Sequence, residues 1–302
     1  MLPDSKAVVR MSVLSTRWRF LWMSVPVSPD FNLPHRPPNG YTKKEVSDFI
    51  ASANRELYYW RFCQKFTRFR CFLPRYDKSY VKDVDIWVHF ATKVANVECF
   101  TLGFCWESDP IYELPQFAYN NTSLKRLKLV NCELNPSGSI NWSSLVFLAI
   151  ACLNLTDDVL EKVLPGCSNL ESLELVGDLA VRRLEISSVK LTSLTIRDFQ
   201  NENLDRRLKI LAPHIKYFEL LGCCDEICLQ QRNVASLVSA NLFLDFVYAE
   251  RNSEEKCRYF KELLHRVSHV ENLGLSRWCI ELYYPKFRFL FRFVTFYVLL
   301  DS

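Results

Sequence analysis

Glycine is scarce in this chain, seven among 302 residues, and the scarcity excludes the glycine-rich loops that cradle phosphates at nucleotide sites. Neither a nucleophile elbow nor a His-Glu-x-x-His string is present. Charge of one sign is equally short: 38 Lys and Arg against 34 Asp and Glu leave a formal charge of +4, too small to demand a nucleic-acid or membrane footprint. No secretory apolar run opens the sequence. Leu290 to Leu300, apolar apart from Arg292 and Thr295, covers about eleven residues where a spanning helix needs about 20, so it reads as a buried or aggregation-prone end segment. The 12 cysteines form no compact disulfide framework, which predicts free thiols in a reducing compartment, cytoplasm or nucleus. The glycosylation-like triplets at Asn120, Asn121, Asn141 and Asn154 are then coincidental.

Metal chemistry is not predicted either. His265 and His269 stand four apart without a third ligand, and Cys223, Cys224 and Cys228 lack paired Cys-x-x-Cys spacing. No catalytic residue and no cofactor is expected.

What the chain does have is leucine at fixed intervals. Leu124-x-x-Leu127-x-Leu129-x-x-Cys132-x-Leu134 matches every fixed place of a leucine-rich repeat. The first, fourth and sixth places recur as Leu145, Leu148 and Ile150, as Leu170, Leu173 and Leu175, as Leu191, Leu194 and Ile196, as Ile215, Phe218 and Leu220, and as Val270, Leu273 and Leu275. Val97, Phe100 and Leu102 form a weaker unit upstream. The gap after Ile215 is about double the others, which predicts a hidden unit with Leu242 and Leu244 as its strand. Cys105, Cys132 and Cys223 share one repeat position and read as small buried hydrophobes.

The spacing predicts one short strand per unit, its leucines pointing inward at period two. Asp158 and Glu161 stand in a capping-box-like relation ahead of Leu160, Val163 and Leu164, and Pro165-Gly166 ends that pattern, so a short helix is expected on the return path. The fold class is therefore α/β, a leucine-rich-repeat solenoid with parallel strands on a concave face and short helices or loops on the convex face. Residues between the leucines then line the concave face: Arg126 and Lys128, Phe147 and Ala149, Ser172 and Glu174, Ser193 and Thr195, Tyr217 and Glu219. Of these, Arg126, Lys128, Phe147, Glu174, Thr195, Tyr217 and Glu219 are the candidate contacts to a protein substrate, with Phe147 and Tyr217 as aromatic anchors.

Between Arg61 and Lys78, six cations alternate with Phe62, Phe66, Phe69, Phe72 and Tyr76. That is the composition of a single-strand nucleic-acid platform. No RNA-recognition signature accompanies it, and the preferred reading is an amphipathic strand whose phenylalanines enter the core. Neither nucleic acid nor membrane is an expected partner.

The N-terminal segment differs in kind. Val9, Val13, Leu14, Trp18, Leu21, Trp22 and Val25 recur at three and four, interleaved with arginines, which predicts amphipathic helix. Pro26, Pro29, Pro34, Pro37 and Pro38 follow, five of the chain's 13 prolines, and mark a linker. The string Ser12-Val13-Leu14-Ser15-x-Arg17-Trp18-Arg19-x-Leu21-Trp22, ending Ser24-Val25-Pro26, resembles the second half of an F-box of the plant F-box/LRR-repeat family, whose members often carry an FBD region. Tyr112-Glu113-Leu114-Pro115, Leu155-Thr156-Asp157-Asp158 and Gly166-Cys167-Ser168-Asn169-Leu170 are similar to strings of the same family.

The resemblance implies a substrate receptor of an SCF-type E3 ubiquitin ligase. Val13, Leu14, Trp18, Leu21 and Trp22 would meet the adaptor bound to the cullin, the repeats would hold an unknown protein substrate, and no chemistry would occur in this chain. A repeat scaffold without ligase contact is the alternative, since the string covers half an F-box. The expected organisation is a small helical partial F-box at 1–26, a proline-rich linker at 27–45, a mixed helix and strand lead-in at 46–96, repeats at 97–280 and an aromatic-rich tail at 281–302. Departure from the family pattern at both ends predicts a truncated or alternatively spliced product.

Overall fold

A computed structural model describes residues 30–32, 40–61, 66–74, 76–105, 111–151, 155–177, 181–198, 208–222, 227–229, 235–244, 254–276, 279 and 295–299. The chain divides into two compact units, Met1–Leu145 and Val146–Ser302. The N-terminal helical stretch at 8–25 lies outside the described residues.

The first unit is built on four parallel strands. These are β1 (Asp30–Asn32), β2 (Arg68–Leu73), β3 (Cys99–Phe104) and, after the two-residue β4 (Tyr112–Glu113), β5 (Arg126–Val130). Phe31 pairs with Cys71, Phe69 with Phe100, and Phe100 with Leu127, so the inward positions stack in rows. On the return side, β4 pairs in parallel with β6 (Cys132–Glu133). Helix α1 (Lys43–Trp60) begins at Thr42, whose Oγ1 accepts from the Glu45 amide while Glu45 Oε2 accepts from the Thr42 amide at 2.8 Å, a reciprocal cap that satisfies two otherwise orphan donors. Those hydrogen bonds, the backbone one foremost, hold the Glu45 carboxyl below its ordinary range. Val46, Ile50, Ala53, Leu57 and Trp60 make its buried stripe.

Helix α2 (Val81–His89) brings Trp87 into the same core. The Trp87 indole N–H donates to Asn54 Oδ1 at 2.7 Å and the Asn54 amide donates to Asp83 Oδ1 at 2.6 Å, locking α2 to α1. Aromatic rings fill the space between helices and strands: Phe31 and Phe69 lie 5.5 Å apart, and Phe69 and Phe100 lie 5.8 Å apart.

The parallel ladder of this unit starts upstream of residue 97. Phe66-x-x-Phe69-x-Cys71 carries the repeat spacing with phenylalanine in leucine's place, and β1 continues it within the proline-rich run. Phe66 and Phe69 are buried as expected, but Phe72 is not. It occupies an outward position, where its ring leans over Gly103: a Cβ there would stand 2.7 Å from Phe72 Cδ2 and 3.2 Å from the Val130 Cβ.

The second unit opens with β7 (Phe147–Ala151), α3 (Asp157–Val163) and β8 (Ser172–Val176). It continues through β9 (Arg183–Glu185), β10 (Ser193–Arg197), β11 (Leu208–Leu211), β12 (Tyr217–Gly222), β13 (Ile227–Leu229) and β14 (Ser239–Leu244). Helix α4 (Glu254–Arg266), β15 (Asn272–Ser276) and β16 (Thr295–Leu299) complete it. Strands β7, β8, β10, β12, β14, β15 and β16 form one parallel ladder in strict register: Leu148 meets Leu173, Leu173 meets Leu194, Leu194 meets Phe218, Phe218 meets Ala240, and Ala240 meets Leu273. The hidden unit is therefore present, with Leu242 opposite Leu220 and Ala240 in the place ahead of it. A smaller residue there explains its weak signature.

Three expectations change in this unit. Return segments here are strands as well as helices, since β9, β11 and β13 make a second parallel sheet. Short α3 starts from Thr156 with no side-chain cap, and Asp157 is diverted to the backbone N–H groups of Arg182 and Arg183 at 2.8 and 3.0 Å. The aromatic tail adds β16 in register with β15, Phe296 opposite Leu273 and Val298 opposite Leu275, which are the fourth and sixth repeat places.

Candidate protein-binding faces of the parallel strands

Period-two alternation sends one set of residues on each ladder inward and the other set out. On the first unit the outward set is Asp30 and Asn32, then Arg68, Arg70 and Phe72, then Cys99, Thr101 and Gly103, then Arg126, Lys128 and Val130. Arg126 and Lys128 are exposed, as anticipated. Arg68 and Arg70 share their face and are exposed too. An amphipathic strand with its phenylalanines inward leaves these two cations outside, and the Phe66, Phe69, Cys71 spacing puts them on the repeat face with Arg126 and Lys128. Arg70 donates to Asp30 from Nε at 2.9 Å, and that carboxylate raises the guanidinium further. Just ahead of the strands, Lys125 Nζ lies 3.0 Å from Glu98 Oε1.

The second unit presents a different surface. One outward row runs Phe147, Ser172, Ser193, Tyr217, Ser239, Asn272 across successive strands. Tyr217 is 53% exposed, whereas Phe147 is half-buried. The next row runs Ala149, Glu174, Thr195, Glu219, Asn241, Gly274. Thr195 Oγ1 donates to Glu219 Oε2 at 3.4 Å, Asn241 donates to Glu219 Oε1 at 3.3 Å, and Arg197 Nε approaches Glu174 Oε1 to 3.9 Å. Thus Thr195, Glu219 and Asn241 act as one polar cluster, with Asn241 and Arg197 additions that spacing alone had not singled out. Ala149, expected on the binding face, is buried at 2% exposure because a methyl group cannot reach past its larger neighbours.

Adaptor candidates Val13, Leu14, Trp18, Leu21 and Trp22 lie outside the described residues. The cysteines at 71, 99, 105, 132, 167 and 279 are free thiols. Burial pushes Cys167 up to about 12 and Cys279 to about 11, which keeps both protonated and unreactive. Cys132 is buried as its repeat position required, Cys105 is half-buried, and Cys223 falls outside the described residues. On the return side of the first unit, a cavity of about 790 Å³ is lined by Tyr76, Lys78, Lys82, Asp85, Tyr112 and Gln116. Tyr112 donates to Asp85 Oδ1 at 2.7 Å there. Among the described residues no His, Cys, Asp and Glu cluster suits a metal, and no helix is long and apolar enough to cross a membrane.

The profile of the At1g61320/AtMIF1 LRR domain matches residues 65–288, starting one residue ahead of Phe66. The F-box/LRR-repeat protein 25 of Arabidopsis thaliana is 31% identical over 230 residues, 72% of this chain and 79% of the relative. The chain belongs to the plant F-box/LRR-repeat family. Other relatives from the same plant include F-box protein At5g03100, 27% identical over 90% of this chain and 82% of its own length. F-box/LRR-repeat protein At3g03360 is 30% identical over 90% of this chain but only 55% of its own length, and F-box/FBD/LRR-repeat protein At5g44980 is 27% identical over 93% and 65%. No solved structure matches the chain.

Proposed function

We propose that this F-box/LRR-repeat chain is the substrate-recognition subunit of an SCF-type E3 ubiquitin ligase, with no bond-making chemistry of its own. Membership of the F-box/LRR-repeat family carries the reading. Val13, Leu14, Trp18, Leu21 and Trp22 are assigned to the cullin-bound adaptor, through the Val-Leu-Ser-x-Arg-Trp string. The substrate is a protein held on the outward faces of the strands, where Arg126 and Lys128 in one unit and Phe147, Glu174, Thr195, Tyr217 and Glu219 in the other provide charge and aromatic area. Work in the cytoplasm or nucleus follows from that role and from the free thiols.

The test is co-purification of the intact chain with the adaptor. Binding that Trp18→Ala weakens supports the receptor reading. Absence of binding by a folded chain replaces it with a repeat scaffold that captures proteins without ligase contact.

A further inference from the structure

Among the described residues, the outward face of the first unit holds Arg68, Arg70, Arg126 and Lys128, with Asp30 paired to Arg70. Register fixes their layout. Arg68 stands opposite Cys99, which stands opposite Arg126; Arg70 stands opposite Thr101, which stands opposite Lys128. Adjacent strands are about 4.8 Å apart, and residues two apart on a strand are separated by about 7 Å. Two cationic columns about 10 Å apart therefore flank a central column of the small residues Cys99 and Thr101. The trough is bounded at both ends. Glu98, held by Lys125, precedes Cys99, and the Phe72 ring over Gly103, 39% exposed, closes the far end.

We infer that this trough binds an acidic segment of a partner protein, extended and laid along β3, with about four consecutive Asp or Glu residues followed by an apolar one. An extended chain repeats its own side chains at about 7 Å on each side. Positions one and three would face Arg68 and Arg70, while positions two and four would face Arg126 and Lys128, matching both columns at once. The apolar residue would then lie on Phe72. Basic side chains gathered on both sides of an uncharged floor favour an anionic strand between them. Single-stranded nucleic acid fits less well, because its bases need aromatic platforms along the groove, and Cys99 and Thr101 supply none. The inference rests on the receptor reading and specifies the cargo chemistry of one of its faces.

The full chain is titrated against a fluorescent peptide with an Asp-Glu-Asp-Glu-Leu core, a matched Asn-Gln-Asn-Gln-Leu peptide and oligo-dT of similar length. Expected is binding of the acidic peptide at least ten-fold tighter than of the neutral one, weakening with salt. The double variant Arg68→Gln, Lys128→Gln should lose at least ten-fold, Phe72→Ala several-fold, and Lys209→Gln on return strand β11 nothing. The charge-preserving pair Arg68→Lys, Lys128→Arg should restore most of the affinity, separating charge from folding. Equal binding of the two peptides overturns the inference, as does equal loss on Lys209→Gln, or oligo-dT binding more tightly through the same cations. Adaptor co-purification is independent of all these titrations, so failure here leaves the receptor reading standing and failure there leaves this trough standing.

Discussion

The two units solve one packing problem with different materials. In the first, the chain returns through helices α1 and α2 and the short β4–β6 pair, and the inward rows mix rings with smaller side chains: Phe31, Phe69, Phe100 and Phe104 stand beside Cys71, Leu73, Leu102, Leu127 and Leu129, with Trp87 of α2 in the same core. In the second, three of the returns are strands, and the inward rows are Leu148, Leu173, Leu194, Leu175, Ile196 and Leu220. Stacked sheets in general lie about 10 Å apart, a gap that aliphatic side chains fill. Helices packed on strands leave less regular gaps, and large rings with specific edge and face contacts suit them. The repeat template is a statement about the strand, whereas residue size at its inward places follows the return element.

The largest expected effect tests what the units share. Leu194→Asp or Leu127→Asp places a carboxylate at a ladder position that is at most 2% exposed, and each should abolish cooperative melting followed by circular dichroism. A melt at the wild-type temperature would refute the ladder in that unit. Next comes the contrast itself. Trp87→Ala should cost about 3–5 kcal/mol and Ile196→Val about 0.5–1.5 kcal/mol in chemical denaturation; comparable costs would erase the distinction between the two cores.

Asn54→Ala comes third, at about 1–3 kcal/mol, because the buried Trp87 indole N–H loses its acceptor. A Trp87→Phe, Asn54→Ala double variant with no additional loss beyond Trp87→Phe would sharpen that assignment. Thr42→Ala at the head of α1 is expected at about 0.5–2 kcal/mol, in the range of Ile196→Val.

Alkaline pH should separate the units by mechanism. Burial, followed by the charge of Asp85, pushes Tyr76 up to about 12, and burial with the Asp85 hydrogen bond also raises Tyr112. A phenol with a raised folded pKa stabilises fully below its unfolded value near 10. That stability is lost as pH climbs from about 10 toward 12, because the unfolded chain releases the proton first. Tyrosinate absorbance should therefore rise together with loss of the first unit's structure, and Tyr76→Phe should shift the onset upward.

Much of the strand ladder was legible because leucine spacing is a geometric requirement. Leu124, Leu127 and Leu129 or Leu191, Leu194 and Ile196 can be read directly, and even Leu242 was found from a doubled gap. Phe66-x-x-Phe69-x-Cys71 was not read as a repeat, since aromatic substitution hides the pattern while preserving the spacing. With it went Arg68 and Arg70, half of the basic face. The strand returns β9, β11 and β13 were also illegible, because three or four residues such as Arg183–Glu185 carry too little periodicity to distinguish strand from loop. The Thr42 to Glu45 capping box is written in the sequence as a Thr followed three residues later by Glu.

At the place where helical return gives way to strand return, Asp157 turns from its own helix to the amides of Arg182 and Arg183 at the start of β9. Among the described residues, strand β9 is an edge of its sheet and pairs with β11, and an edge amide without an acceptor invites another chain. One carboxylate thus acts as a terminator for the return sheet. A coil inserted between α3 and β9 would separate the terminator from the edge it protects, and one deleted there would remove it. A change in copy number at this junction would therefore bare the Arg182 and Arg183 amides to pairing by another chain.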